Sequence, residues 1–143
     1  MNPHKPNIGV IHGEWGERTA VERLRLEGYE IIDRNARPSA RDGRLEIDIV
    51  AYDKARDTLV FVEVKQHKSH SPGESRLRSI DRAKKACLRR ACNAWRRGNR
   101  WTGAYRFDVV EVVGTPGAGR PEIDHIENVR LFTPSERFVA AWG

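Results

Sequence analysis

Two acidic side chains, Asp48 and Glu63, and the lysine two positions later, Lys65, have types and spacing that could support chemistry. They lie in or beside two apolar-rich runs, residues 45–51 and 59–64, with a polar segment between them. Val and Ile dominate both runs, which predicts two strands joined as a β-hairpin. Because side chains alternate between the two faces of a strand, Glu63 and Lys65 share a face.

The pairing of the two strands depends on the length of the loop. If residues 54–57 form the loop, which is a common hairpin length, Asp53 faces Thr58. Asp48 then falls opposite Glu63, and Cβ atoms of opposed residues are roughly 4.5–5.5 Å apart. Two carboxylates at this separation repel each other unless a cation lies between them. The register predicts a cation site, although ordinary polar decoration on the outer face of a one-sided sheet is the alternative.

A third acid, Glu17, lies in the first element of the chain. Residues 13–27 have helical periodicity, with Ala20, Val21 and Leu24 on one face and Glu17 in the middle of it. A carboxylate in an apolar stripe costs free energy unless it is paired or bound to a metal. Glu17 is therefore a candidate ligand, with the alternative that it lies just above the buried layer and reaches water or an arginine.

Basic charge is concentrated in one part of the chain. The net charge is +6, and residues 74–100 alone hold ten Lys or Arg against two acids. Such a run favours a polyanionic partner, with a solvated helix face as the alternative. Residues 75–97 have helical spacing with Lys84 on the apolar stripe, which directs its ammonium group toward the sheet unless it snorkels outward. The outer face would carry a basic ridge, formed by Arg76, Arg78, Arg82, Lys85, Arg89, Arg90, Arg96 and Arg97.

Length and composition fit one globular domain. A chain of 143 residues with 38% apolar and 32% charged residues can build a single core. We expect residues 1–12 to form a flexible arm and 13–143 to form the domain. No apolar run approaches the length of a membrane span or a signal peptide, so we expect a cytoplasmic protein without a membrane partner. Cys87 and Cys92 are five apart on a helix, which suits free thiols better than a disulfide or zinc pair.

The remaining elements are strands and loops. Residues 29–35 and 105–113 have strand patterns, and 126–132 is a candidate last edge strand. Pro and Gly mark loops at 36–43 and 114–121. The order helix, strand, hairpin, helix, strand predicts an α/β fold with a mixed sheet between helices.

The ordered set of acids and lysine resembles a nuclease motif. Glu17 in a helix, Asp48 on a strand and Glu63-Val64-Lys65 on the next strand resemble the pattern of the PD-(D/E)xK nuclease superfamily. Residues 13–113 more closely resemble the YraN-like family (uncharacterised protein family 0102), whose fold is similar to archaeal Holliday junction resolvases. The matching segments are Gly16-Glu17, Gly28-Tyr29, Arg34-Asn35, Arg37, 46–51, 60–65, Lys84 and 106–110. The resemblance implies a restriction-endonuclease-like single domain with an αβββαβ core.

The resemblance also implies metal-dependent hydrolysis of phosphodiester bonds. Asp48 and Glu63 would bind Mg²⁺ or Mn²⁺ together with the Val64 carbonyl, and Glu17 would be an outer ligand. Lys65 would position the attacking group or neutralise charge in the transition state. Basic residues would contact phosphates without sequence preference: Lys84, Lys85, Arg82, Arg89, Arg34 and Arg37.

Together these features predict a DNA nuclease selective for branched or flapped structures, with RNA as an alternative substrate. Junction-cutting relatives act as dimers, so a homodimer is a further expectation. A non-catalytic nucleic-acid-binding module that retains the nuclease fold is the main alternative. An adaptor protein would be favoured if residues 74–100 were buried in an oligomer. The complete set of Asp48, Glu63 and Lys65 favours the enzyme, because binding alone does not require opposed carboxylates.

Overall fold

The computed structural model describes residues 8–39, 41–43, 45–69 and 82–132. Two helices and five strands follow one another along the chain: α1 (Ile8–Leu26), β1 (Tyr29–Ala36), β2 (Ile47–Asp53), β3 (Thr58–His67), α2 (Arg82–Gly98), β4 (Tyr105–Val113) and β5 (Glu122–Ile126). Residues 70–81, which include the start of the predicted second helix, and the predicted arm up to residue 7 lie outside the described residues. Within the described ranges, neither helix combines the length and apolar character needed to cross a bilayer.

The five strands form one mixed sheet in the order β1-β2-β3-β4-β5. The pairs β1–β2, β2–β3 and β4–β5 are antiparallel, whereas β3 and β4 are parallel. A parallel pair needs a long crossover, and α2 lies in that connection. The predicted α/β class and the αβββαβ order are confirmed, and the architecture is consistent with a restriction-endonuclease-like fold.

Both faces of the sheet are covered. One core packs α2 against the sheet through Leu88 and Trp95. The other packs α1 against the opposite face through Ala20 and Leu24. Because the central strands are buried on both sides, they have nearly continuous apolar runs instead of a strict alternation. The two helices therefore hold the sheet from both sides and fix where its strand ends lie.

The β2–β3 hairpin has the register that the sequence predicted. Asp53 faces Thr58, and the pairing continues without a break to Ile49 opposite Val62. A strand partner on each side and burial of most of these residues fix the register, because a one-residue shift would exchange the two faces. The next step along both strands brings the two predicted acids together.

Two predicted boundaries are wrong. Helix α1 begins at Ile8 instead of residue 13, since a glycine such as Gly13 costs a helix only about 1 kcal/mol and does not end it. The last strand is Glu122–Ile126 instead of 126–132. After it, Asn128 adopts a positive φ of 55° that interrupts the extended backbone, while the Val129 N–H donates to the carbonyl of Phe107 on β4. Phe132 then packs in the core near α2 instead of extending a strand.

Candidate functional site

The predicted acid pair lies at the open end of the β2–β3 hairpin. Asp48 is one residue beyond the last regular pair, and its Oδ2 accepts a 2.9 Å hydrogen bond from the backbone N–H of Val64. Its carboxyl group also hydrogen-bonds to that of Glu63, which is only 5% exposed. The hairpin register thus places two carboxyl groups within hydrogen-bonding distance of each other in a largely buried position.

Burial changes the acidity of this pair. Burial, and then the charge of Glu63, raises the pKa of Asp48 to about 8, and the hydrogen bond from the Val64 N–H opposes the shift only in part. At neutral pH the metal-free pair therefore retains a proton between its two carboxyl groups. A divalent cation bound between the two carboxylates would displace this proton.

Two lysines approach the same acid from different elements. Lys65 Nζ, from the end of β3, lies 3.5 Å from Glu63 Oε1, and Lys84 Nζ, from the first turn of α2, lies 3.3 Å from it. The prediction that Lys84 is directed toward the sheet is confirmed. Its side chain is 47% exposed, whereas that of Lys65 is 20% exposed. The site therefore has one enclosed and one accessible ammonium group.

Glu17 lies in the electrostatic neighbourhood of the pair and not in direct contact with it. Burial raises the pKa of Glu17, while the nearby Arg34 lowers it and Glu46 raises it further. The Glu17 side chain hydrogen-bonds with Asn35, yet its Oε1 is buried without a hydrogen-bond partner among the described residues. Glu17 is half-buried with Arg34 nearby, which agrees with the interpretation that it reaches an arginine, and its role as a metal ligand stays a prediction.

A cavity of about 430 Å³ opens between the acid pair and α2. Acidic strand residues form one wall and the start of α2 forms the other; the lining consists of Glu46, Asp48, Glu63, Ala83, Lys84, Cys87 and Leu88. Sequence reasoning did not assign a site role to Glu46 or Cys87. Glu46 could have been found because it is two residues before Asp48, and Cys87 because it is one helical turn after Lys84.

The predicted phosphate-binding residues divide into two groups. Arg34 and Arg37 are exposed beside the acids, with Arg37 Nη2 3.6 Å from Glu46 Oε2. On α2, Arg82 is exposed, and Lys85 and Arg89 are half-buried. One member of the predicted outer ridge is wrong, because the guanidinium of Arg96 lies 3.7 Å from the centroid of the Tyr105 ring. Arg76 and Arg78 of the predicted ridge lie outside the described residues, and its other cations extend along α2 from the cavity.

A second charged cluster, centred on Arg106, was not predicted. The buried Arg106 binds Asp108 at 3.0 Å and Asp53 at 3.0 Å, and His125 lies 2.7 Å from Asp108 and 2.6 Å from Glu27. The only sequence signal was the presence of charged residues, Arg106 and Asp108 among them, within the apolar strand β4. The cluster joins strands of the sheet to the end of α1, so it has a structural role.

Comparison with known proteins decides the family. The model of the Uncharacterised protein family UPF0102 matches residues 16–112. The chain belongs to this family. A UPF0102 protein of Paenarthrobacter aurescens (strain TC1) is 40% identical over 82% of this chain and 91% of its own length. UPF0102 proteins of Trichlorobacter lovleyi and Mycobacterium tuberculosis are 38% and 37% identical, over 81% and 90% of this chain and 87% and 99% of theirs.

The UPF0102 match includes every acid and lysine of the candidate site. It begins at Gly16, beside Glu17, and ends in β4 at Val112. The family resemblance drawn from the sequence is thereby confirmed. The name of the family states no activity, so the activity has to be argued from the site.

Proposed function

We propose that this UPF0102 protein is a divalent-metal-dependent endonuclease that hydrolyses phosphodiester bonds in DNA. The observation that supports this most directly is the buried pair of Asp48 and Glu63, with Lys65 and Lys84 at 3.5 and 3.3 Å from one of its oxygens. An acid whose pKa is raised by burial and by a neighbouring carboxylate, as that of Asp48 is, is found more often at functional sites, since its burial costs stability and does nothing for packing. Two carboxylates and adjacent cations are the groups that metal-assisted hydrolysis of a phosphate ester uses.

The donor set fits Mg²⁺ or Mn²⁺. Carboxylate oxygens are hard ligands, and Mg²⁺ is commonly held by one or two carboxylates, with waters and substrate phosphates as its other ligands. Among the residues that the structure describes, no group of three or more His, Cys, Asp or Glu could hold a metal ion. Asp48 and Glu63 would hold the ion as a pair, with the Val64 carbonyl as a third protein ligand. Glu17, which interacts with Asp48 only at longer range, would act from outside this set.

The protein's own groups have separable roles in this proposal. A bound divalent ion would supply Lewis-acid polarisation of the phosphoryl oxygen. Lys65 is enclosed and held against Glu63, so its ammonium is preorganised to stabilise negative charge that develops on the phosphoryl group. Lys84 is accessible and can contact a phosphate that enters the cavity. The negative charge of Glu17 would repel the carboxylate of Asp48 and so favour orientations of Asp48 that point away from Glu17.

The basic residues of α2 would hold the polymer. Arg82, Lys85 and Arg89 extend from the cavity along one helix. Contacts of this kind go to phosphates, so they give affinity that falls steeply with salt and carries no sequence preference. Because these contacts do not distinguish sequences, any preference among DNA substrates would depend on their shape. The proposal is that branched or flapped DNA is preferred.

A cleavage assay with matched variants tests the proposal. Purified protein is incubated with flapped, branched and linear DNA in Mn²⁺, in Mg²⁺ or in EDTA. We expect metal-dependent cleavage that falls by about 100-fold or more in Asp48→Asn and Glu63→Gln, a loss typical of charge-stabilising groups. Glu22→Gln removes an exposed carboxylate on α1 and is the control that should retain activity.

Other outcomes assign other functions. Salt-sensitive DNA binding without cleavage in any metal would favour the non-catalytic binding module. Cleavage that persists unchanged in both site variants would show that the acid pair is not the catalytic centre. Parallel assays with RNA and measurement of the oligomeric state would test the expectations of an alternative substrate and a homodimer.

A further inference from the structure

The acids of the candidate site are reached from the cavity. Glu63 is 5% exposed, and both it and Asp48 line the cavity wall opposite α2. The start of α2 forms the other wall, with Lys84 reaching across to Glu63 at 3.3 Å. A phosphodiester that approaches this pair from the cavity therefore lies between the helix and the sheet, together with the units nearest to it.

The volume of the cavity limits those units. At about 430 Å³, it is near the lower end of the range of roughly 300–1,000 Å³ found for sites that enclose one small molecule. One nucleotide is a ligand of this size, whereas a base pair with both of its backbones is not. In a duplex each base is stacked and paired, so placing it in such a cavity requires extrusion at a free-energy cost that an unpaired nucleotide avoids.

The chemistry of the helix wall also suits an unpaired nucleotide. Ala83, Cys87 and Leu88 present methyl, thiol and isobutyl surface to the cavity, which can pack against a sugar or a base. These side chains offer no set of donors and acceptors with which to identify a base edge. Lys84 adds the positive charge that a backbone phosphate needs. A cationic groove that follows the backbone is one of the two features by which proteins bind single strands without sequence preference.

We infer that this cavity takes one unpaired nucleotide, so that the polymer acted on at Asp48 and Glu63 is single-stranded at the point of cleavage. This inference rests on the proposed nuclease function and narrows its substrate class. In a flapped or branched molecule, the strand bound in the cavity would be the unpaired arm and not the duplex.

Cys87 provides a reporter for occupation of the cavity. Its thiol lines the cavity and is half-buried, whereas Cys92 is completely buried and burial raises the pKa of its thiol well above the ordinary value. A maleimide should therefore label Cys87 and leave Cys92 of the folded protein unmodified. Cys87→Ala, which should abolish labelling, confirms the assignment.

The experiment measures the rate of N-ethylmaleimide labelling by mass spectrometry in EDTA, where no cleavage occurs. We expect saturating oligothymidylate to slow labelling of Cys87 by about tenfold or more. A blunt duplex at the same phosphate concentration should slow it by less than about twofold, because paired nucleotides remain outside. Single-stranded RNA of equal length shows whether the cavity accepts a ribose as well as a deoxyribose, and protection by either single strand supports the inference.

Equal protection by duplex and single strand, or no protection by either, would overturn the inference. The proposed nuclease function is tested separately, by measuring cleavage of the same nucleic acids in Mn²⁺. If duplex protects Cys87 and is cleaved as fast as single strands, the nuclease proposal stands and the single-strand inference fails. If oligothymidylate protects Cys87 but no nucleic acid is cleaved, the cavity assignment stands and the nuclease proposal fails.

Discussion

The Nζ of Lys84 lies 3.3 Å from Glu63 Oε1 and connects the first turn of α2 with the end of β3. The lysine side chain is 47% exposed, so this ion pair is screened by solvent and contributes little to stability. If Lys84 moved from the carboxylate of Glu63 to a phosphate oxygen, the fold would therefore lose little stability. Under the proposed function, Lys84 would leave Glu63 to contact a phosphate of the substrate. The contact between Lys84 and Glu63 is therefore not needed to stabilise the fold.

Replacing Lys84 should separate function from stability. We expect Lys84→Ala to lower the rate of cleavage at saturating DNA by about tenfold or more, since one charge-stabilising group is lost. The free energy of unfolding should change by less than about 1 kcal/mol, because the lysine end of the pair is 47% exposed and Lys65 remains beside Glu63 in the variant. Chemical denaturation and single-turnover cleavage measure the two quantities.

Lys85→Ala is the matched control for this prediction. Lys85 is the next residue of α2 and does not line the cavity. Its loss should weaken binding uniformly and reduce the salt slope by about one, with little change in the cleavage rate of bound DNA. If the two variants have the same effects, Lys84 is merely another phosphate contact.

Metal binding should depend on pH through Asp48. Its folded pKa, at about 8, is raised above its ordinary value. Between these values the metal-free folded protein binds more protons than the unfolded chain, so stability falls as pH rises through this window. A divalent ion displaces the proton, and the stabilisation by metal should therefore increase with pH up to about 8.

Thermal unfolding at pH 6 and pH 8.5, in EDTA and in Mg²⁺, measures this linkage. We expect Mg²⁺ to raise Tm more at pH 8.5 than at pH 6. The difference should be at least about 4 °C, which corresponds to roughly 1 kcal/mol in the free energy of unfolding. Asp48→Asn should be more stable than wild type in EDTA at high pH and insensitive to Mg²⁺. An equal metal effect at both pH values would contradict the proton exchange.

The geometry of the acid pair could be predicted because it depends on local rules. The loop length set the register, and the two-residue period of strands then placed Asp48 beside Glu63. The helical period likewise placed Lys84 on the sheet side of α2. Each of these predictions depends on only a few neighbouring residues, so it holds in the folded protein.

Features set by tertiary packing could not be obtained in this way. Whether Glu17 contacts the pair depends on how far α1 lies from β2, which no periodicity specifies. The end of the sheet was misplaced because burial of Phe132 outweighed its strand propensity. The Arg106 cluster joins residues far apart in sequence, so its members look like ordinary surface charges until the strands are assembled.

The close approach of α1 to β3 at Gly16 should be required for stability. A Cβ at Gly16 would lie 2.6 Å from Gln66 Oε1 and 3.2 Å from its Cδ, so there is no space for a methyl group while Gln66 keeps its place. We expect Gly16→Ala to destabilise the fold by about 1–3 kcal/mol, as overpacking does. It should also slow cleavage, because α1 carries Glu17.

Rescue by a second substitution identifies the cause. Gln66→Ala removes the obstructing side chain, so the double variant should recover most of the stability lost in Gly16→Ala. Gly98→Ala is the control, because nothing lies within 4 Å of its added Cβ. A double variant that is no more stable than Gly16→Ala would show that the glycine is needed for its backbone and not for the approach of the helix.

His125 should make stability depend on pH in the opposite sense to a buried neutral histidine. Burial lowers the pKa of His125, but its hydrogen bonds to Asp108 and Glu27 outweigh burial, so the pKa is raised. The folded state therefore favours the charged ring. Its contribution is complete below the ordinary value of about 6.5 and is lost as pH rises through the folded pKa.

Comparison of wild type with His125→Phe isolates this contribution, because the phenyl ring can retain the edge contact with Tyr29. Asp48 titrates in both proteins, so its effect cancels in the difference. At pH 6 the wild type should be more stable by about 1.5–3 kcal/mol, the usual contribution of hydrogen bonds to charged groups. The difference should shrink as denaturation is repeated at pH 7, 8 and 9. A difference in stability that stays constant across this pH range would mean that His125 binds Asp108 as a neutral ring.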